Sequence, residues 1–224
     1  DLHIEAHSFP TRRSSDLPGA KSFTISDRLT NNGDYPKEYQ ALYHSNFGPP
    51  LMEKDAKFAA PVREVSPFND YAGKLLSTWQ TYQDRTKDFD EVVYNVFPYG
   101  DENGNTLTMV HNAAGTLGAS IAYNVNALPA FSLWKNMDTD AQGYVTGMEP
   151  GTSFSYNRKY QRDLKLVPTI GPKEHRDFIL TYSLLDSKDK VDAALKRIDN
   201  IQNGRKTTVR ETPLVTSGAQ VIGR

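Results

Sequence analysis

Residues 118–136, GASIAYNVNALPAFSLWKN, form two short β-type runs that the Leu128-Pro129 step separates. Apolar and polar residues alternate with a period near two, which is typical of strands, and a proline cannot donate to a strand ladder. Just upstream, residues 91–115 (EVVYNVFPYGDENGNTLTMVHNAAG) carry two more such runs around a turn rich in Asp, Asn and Gly, so we predict a hairpin there. Many short strands at this spacing predict an all-β fold, a large antiparallel twisted β-sandwich.

One segment near the C-terminus has a different period. Residues 187–202, SKDKVDAALKRIDNIQ, place Val191, Ala194, Leu195, Ile198 and Ile201 on one stripe, with Ser187 as a candidate N-cap. The pattern predicts a single C-terminal helix packed against the sandwich.

The first seventeen residues do not resemble part of a domain. Residues 7–17, HSFPTRRSSDL, have no strand or helix period, and back-translation in one frame gives a common short-read sequencing adapter. We therefore interpret residues 1–17 as adapter-derived and expect them to be disordered. Residues 18–224 then begin inside a gene, and we expect them to be the C-terminal part of a single, N-terminally truncated domain.

Composition excludes several classes of function. The chain has no cysteine, which excludes a disulfide framework, a thiolate nucleophile and a Cys-ligated zinc. No two histidines have metal-ligand spacing, which argues against a bound zinc, and the sequence has no P-loop or dinucleotide fingerprint, so we expect no metal and no cofactor. The absence of cysteine also suits a cytoplasmic protein, which we expect. Outside residues 1–17 the charges balance, which argues against nucleic-acid and membrane partners. Composition does not determine the oligomeric state.

Two stretches offer groups for acid–base chemistry. His44, in YHSNFGPPL, stands where a strand runs into a Gly-Pro-Pro break, and such irregular ends often form sites. Glu149, in GYVTGMEPGTSF, follows an apolar run, so burial can raise its pKa toward the range of a general base. The alternatives are a histidine that bonds backbone at the sandwich rim and an exposed glutamate at a turn.

Two further stretches offer groups for ligand binding. In LPAFSLWKN, Trp134 can stack on a sugar face, while Lys135 and Asn136 can donate to hydroxyl groups. The alternative is a core tryptophan flanked by solvated polar residues. In DEVVYNV, Glu91 is either a ligand contact or a charge where a strand begins.

The order of these motifs, completed by GPKE at residues 171–174, resembles the aldose 1-epimerase-like family of unknown function DUF4432, within the galactose mutarotase-like superfamily. The resemblance runs from about residue 23 to about residue 201. It implies a mutarotase-like β-sandwich that binds a small sugar on the concave face of one sheet.

The resemblance also implies a reaction. In aldose 1-epimerases a glutamate takes the proton of the anomeric hydroxyl and a histidine protonates the ring oxygen. Matched by motif, Glu149 is the base and His44 the acid. Asn46, Glu91, Trp134, Lys135 and Asn136 are then substrate contacts. We keep open two alternatives, a non-catalytic carbohydrate-binding sandwich and an accessory domain of a polysaccharide-processing enzyme.

Overall fold

Two six-stranded sheets pack face to face in the computed structural model, which describes residues 2–5 and 19–215. Sheet one has the order β1 (Leu2–Glu5), β2 (Ser22–Asn31), β13 (His175–Leu185), β9 (Gly118–Asn124), β8 (Asn105–His111) and β5 (Lys57–Ala59). Sheet two has the order β14 (Thr208–Val209), β6 (Val62–Pro67), β7 (Val92–Pro98), β10 (Ala130–Met137), β11 (Tyr144–Gly151) and β4 (Ser45–Phe47). A small pair joins β3 (Lys37–Glu38) to β12 (Thr169–Ile170). The predicted all-β sandwich is confirmed.

The core lies between the two sheets. In sheet two, Leu133 of β10 lies opposite Tyr94 of β7 and Met148 of β11, and all three side chains are buried in this core. They meet apolar residues of sheet one such as Ile121 and Leu180. Because side chains alternate along a strand, the neighbours of these residues in sequence point to the outer face of sheet two.

The predicted C-terminal helix is present as α3 (Lys188–Gln202). The Ser187 side chain accepts a hydrogen bond from the Lys190 backbone N–H, which confirms the N-cap. Val191 and Ile198 are buried against Leu107 and Met109 of β8, on the outer face of sheet one. Among the described residues, no helix has the length and apolar character needed to cross a membrane.

The predicted hairpin over residues 91–115 is wrong. Its strands β7 and β8 lie in different sheets, so residues 99–104 cross from one sheet to the other. The turn itself exists, since Asp101 accepts hydrogen bonds from the backbone N–H groups of Asn103 and Asn105. Turn residues fix where the chain reverses, but strand pairing depends on distant partners, and β8 pairs with β9 and β5 instead.

The prediction of one helix is incomplete. Within residues 19–215, two short helices, α1 (Asp70–Lys74) and α2 (Arg158–Asp163), precede α3, and a 3₁₀ turn spans Leu76–Thr78. Asn69 and Asn157 cap α1 and α2. Elements of five or six residues are too short to show a period of 3.6, so the sequence pattern did not reveal them.

The expectation of disorder over residues 1–17 does not hold for Leu2–Glu5. These residues form β1, which pairs with residues 28–31 of β2. The unpaired backbone groups of an edge strand can take up any extended segment, whatever its side chains. Residue 1 and residues 6–17 lie outside the described residues, and the adapter interpretation stays a prediction.

Candidate active site

Six of the seven predicted site residues lie on the outer face of sheet two. The register explains why: Trp134 of β10 lies opposite Gly147 of β11, and Gly147 lies opposite Asn46 of β4. Glu149 is two residues beyond Gly147, and His44 is two residues before Asn46, so both share this face. Glu91 and Asn136 follow on the same face by the same alternation.

His44 and Glu149 form a direct pair. The His44 Nδ1 atom lies 3.0 Å from Glu149 Oε1. The two side chains differ in environment: 46% of the His44 side chain is exposed, against 5% of the Glu149 side chain. A buried carboxylate beside a solvent-facing imidazole gives one site an acid–base pair that a ligand can reach from the histidine side.

The environment of Glu149 disfavours its charge. Burial raises the pKa of Glu149 above its usual value, Coulombic attraction to His44 opposes this, and repulsion from Glu91 adds to the increase. A carboxylate with a raised pKa is a stronger base and suits proton abstraction near neutral pH. The predicted burial of Glu149 is therefore present in the structure.

Asn46 contacts the other side of the imidazole. Its Oδ1 atom lies 2.8 Å from His44 Nε2, and both side chains are exposed. A ring that carries protons on both nitrogens can donate to Glu149 and Asn46 together. Asn46, predicted as a substrate contact, therefore also orients the histidine.

Trp134 and Glu91 form a second pair beside the first. The Trp134 Nε1–H group donates to Glu91 Oε2 at 2.7 Å. The indole is half-buried, and its centroid lies 6.0 Å from that of the His44 ring. Trp134 is thus on the open face of the sheet and not in the core. On that open face a flat ligand can stack on its ring.

Asn136 has a local role in this structure. Its Nδ2 group donates to the Gln142 carbonyl at 3.3 Å, and its Oδ1 atom accepts from the Asp138 N–H at 3.1 Å. These bonds hold the turn between β10 and β11. Asn136 shares the face of Trp134 but is engaged at the end of the strand.

The structure does not bring Lys135 to the site. It points into the core, 1% exposed, where Nζ donates to the carbonyls of Trp79 and Thr81 at 3.1 and 2.6 Å and lies 4.4 Å from the Tyr82 ring centroid. Burial lowers the pKa of Lys135 to about 7. The predicted substrate contact is corrected because residues 134 and 135 must face opposite sides of the strand.

Gly147 is a site residue that the sequence prediction missed. A Cβ atom there would lie 2.6 Å from Glu149 Oε1 and 3.2 Å from Trp134 Cε3. The Glu149 carboxylate and the indole therefore occupy the space above this glycine. Its place two residues before Glu149 in the GME motif was the available signal.

A row of buried polar side chains extends the site across four strands. Ser66 of β6, Asn95 of β7, Ser132 of β10 and Glu149 of β11 lie opposite one another in successive strand pairs, each 4% exposed or less. A small apolar cluster that includes Phe68, Phe154 and Tyr156 covers this end of the face. The sequence prediction did not include the row, which we call the polar row.

His44 borders a cleft of about 830 Å³ between β4 and sheet one, and the lining of this cleft includes Asn46, Phe23 and Tyr182. Within residues 19–215, no three His, Cys, Asp or Glu side chains are grouped as metal ligands.

Known proteins provide two kinds of similarity. The family model described as "Domain of unknown function (DUF4432)" matches residues 7–184. It therefore begins inside the stretch that we interpret as adapter-derived. No curated protein matches the chain.

Among solved structures, the chain is similar to a "putative aldose 1-epimerase" from Klebsiella pneumoniae subsp. pneumoniae MGH 78578. The sequence identity is 50% and the TM-score 0.87, over 89% of this chain and 52% of that one. The chain thus spans about half the length of the Klebsiella protein. A "galactose mutarotase related enzyme" from Lactobacillus acidophilus has 12% identity and a TM-score of 0.54, over 84% of this chain and 72% of that one, and shares the fold.

Proposed function

The chain belongs to the DUF4432 family, and on this premise we propose that it is the acid–base part of a carbohydrate-active isomerase that resembles aldose 1-epimerases. The observation that carries the proposal is the pair of His44 and Glu149, 3.0 Å apart on an open sheet face beside Trp134. The similarity to the Klebsiella protein supports the same class of reaction.

The proposed reaction needs one base and one acid. Glu149 takes the proton from the anomeric hydroxyl O1 while protonated His44 gives a proton to the ring oxygen O5. The C1–O5 bond breaks, and C1 and O1 become an aldehyde. After rotation about C1–C2, O5 attacks the other face of the aldehyde, returns its proton to His44, and O1 takes back the proton from Glu149.

The geometry suits this exchange because O1 and O5 are bonded to the same carbon. Two groups that lie 3.0 Å apart can therefore reach both oxygens from one side of the sugar. Protons only move between the sugar and the two side chains, so the cycle is balanced without a cofactor. Trp134, held by Glu91, offers its ring to the apolar face of the sugar, and Asn46 keeps His44 in place.

The test is anomer exchange in the natural gene product that contains this chain. Exchange NMR on D-galactose and D-glucose measures the rate, with His44→Ala and Glu149→Gln as variants. Each should lower the rate by roughly 100-fold or more, since general acid–base groups contribute about 10²–10⁴-fold. His175→Ala is the matched control, because His175 is also exposed and lies 3.9 Å from a carboxylate, on sheet one.

The outcomes separate the proposal from its alternatives. Loss of exchange with unchanged sugar binding in both variants supports the isomerase. Binding without exchange in the unmodified protein would favour the non-catalytic carbohydrate-binding sandwich. Equal exchange rates in all four proteins would refute the roles of His44 and Glu149.

A further inference from the structure

The polar row contains two buried atoms that the acid–base pair does not use. Ser132 Oγ and Asn95 Oδ1 have no hydrogen-bond partner among the described residues, and their residues are 0% and 1% exposed. They lie opposite each other in the register, and Ser132 also lies opposite Glu149. A buried polar atom without a partner is costly, so its presence beside Glu149 needs a reason.

The direction of the hydrogen bonds in the polar row follows from Tyr156, which contacts both Asn95 and the Phe68 carbonyl. The Phe68 carbonyl can only accept, so the Tyr156 hydroxyl, 3.0 Å away, donates to it. Burial raises the pKa of Tyr156 to about 12, and the hydroxyl therefore keeps its proton at neutral pH. The Tyr156 oxygen must then accept from Asn95 Nδ2, which lies 2.8 Å away.

This fixes the orientation of the Asn95 amide. With Nδ2 directed at Tyr156, the Oδ1 atom is left as a pure acceptor, and Ser132 lies directly opposite it in the register. The two atoms are not bonded to each other in the present arrangement, but rotation of the Ser132 side chain can direct its one proton to this acceptor. The lone pairs of Ser132 Oγ then remain for a donor on its other side, where Glu149 stands.

A carboxylate cannot be that donor, but a carboxylic acid can. Side chains directly opposite each other in a sheet have Cβ atoms about 4.5–5.5 Å apart, so a torsion change brings the Glu149 carboxyl group to Ser132. In the present arrangement Glu149 instead faces His44, as the anion would. Protonation of Glu149 removes the Coulombic attraction that holds its carboxyl group beside His44.

We propose that Ser132 and Asn95 hold Glu149 in its protonated form while the sugar ring is open. Ser132 accepts a hydrogen bond from the carboxyl group of Glu149 and donates its own to Asn95. Ser132 and Asn95 are positioning residues, and Tyr156 acts on them by fixing the Asn95 amide. The proposal rests on the proposed role of Glu149 as the base, and it adds where the abstracted proton resides between ring opening and closure.

The test is a direct titration of Glu149, which needs no turnover. The chain is labelled with ¹³C-carboxyl glutamate, and the Glu149 signal is assigned by its loss in Glu149→Gln. The charged groups that act on Glu149 are His44 and Glu91, and both are kept in every variant. Ser132→Ala removes the acceptor of the neutral acid, so the pKa of Glu149 should fall, by roughly half a unit to one unit for one hydrogen bond.

Three further variants make the result specific. Ser132→Thr keeps a hydroxyl and should titrate like the unmodified chain. Tyr156→Phe frees the Asn95 amide to rotate and should lower the pKa of Glu149 by a smaller amount. Thr106→Val removes an equally buried and equally unpartnered hydroxyl from sheet one and should change nothing.

The sign of the shift decides the outcome. An increase of the Glu149 pKa in Ser132→Ala would overturn the proposal, since it would mean that Ser132 donates to the carboxylate. An unchanged pKa would overturn it as well. If the pKa falls as expected but the natural protein shows no anomer exchange, the proposed function fails while the polar row is established.

Discussion

Replacement of Gly147 by alanine tests whether the position of the Glu149 carboxylate matters. An added Cβ would lie 2.6 Å from Glu149 Oε1, whereas ordinary contact begins at 3.4 Å, so the oxygen must retreat by about 0.8 Å. The nearest Trp134 atoms, Cε3 at 3.2 Å and Cβ at 3.3 Å, need to move by only a few tenths of an ångström. The carboxylate is the flexible partner and takes most of the displacement.

The expected effect is loss of activity without loss of stability. A displacement of about 1 Å of a catalytic group can lower a rate by about 100-fold, which corresponds to about 2.7 kcal/mol in transition-state stabilisation. The free energy of unfolding should be unchanged or slightly higher. Alanine lowers the conformational entropy of the unfolded chain, which stabilises the fold by about 0.4–1 kcal/mol relative to glycine. The assays are exchange NMR of sugar anomers in the natural gene product and thermal unfolding of the same samples.

Gly48→Ala is the matched control. Gly48 follows β4 near the same site, but a Cβ there would meet only the Tyr144 carbonyl at 3.6 Å, an ordinary contact. We expect wild-type exchange in this variant. Full activity of Gly147→Ala would contradict this prediction, because it would show that activity does not depend on the present position of the Glu149 carboxylate. Loss of folding would show that the strain falls on the strand.

Three further predictions concern stability. Glu149→Gln should be more stable than the unmodified chain at pH 7.5 by roughly 0.5–2 kcal/mol, seen as a higher melting temperature. The pKa of Glu149 is raised in the folded chain, so its ionisation destabilises the fold once the pH exceeds the pKa that this group has in the unfolded chain. An equal or lower melting temperature would contradict the argument that this charge is buried. Burial lowers the pKa of Lys135 to about 7, so above that pH the unfolded chain binds more protons than the folded chain. The free energy of unfolding should therefore rise between pH 7 and 9, by up to about 1.4 kcal/mol per pH unit. Urea unfolding of Lys135→Met should lack that rise, and an identical pH slope would count against burial of the charged group. Ser187→Ala removes the N-cap of α3 and should cost about 1 kcal/mol, measured by urea unfolding, while Ser187→Asp, which keeps a capping oxygen, should not.

The meeting of His44 and Glu149 at one site was expected from the family resemblance, whereas the pairing of the strands could not be predicted. The motifs around His44 and Glu149 mark strand ends with the right groups, and the structure brings them to 3.0 Å. Residues 91–115 contain a real turn, but its strands join different sheets. A local pattern contains no information on which distant strand completes a ladder, so the hairpin prediction failed.

Lys135 shows a limit of another kind. A strict period of two already places Lys135 on the other face of the strand from Trp134 and Asn136. The sequence therefore contained the information that the three side chains cannot share a site. Which of the two faces is the core was not in that pattern. The structure decides it, because the side with Leu133 and Lys135 packs against sheet one.

Local patterns in the sequence were enough to predict the strand-rich class, the helix over residues 188–202 and the alternation that keeps Trp134 and Glu149 on defined faces. The packed sheets were needed to show that Gly147 makes room for the carboxylate and that Ser132 and Asn95 continue the polar row beside it. The difference lies in how far apart in the sequence the interacting residues are. Alternation and capping depend on neighbours in the chain, whereas burial, pKa values and the direction of a hydrogen-bond row depend on strands that meet only after the sheets assemble.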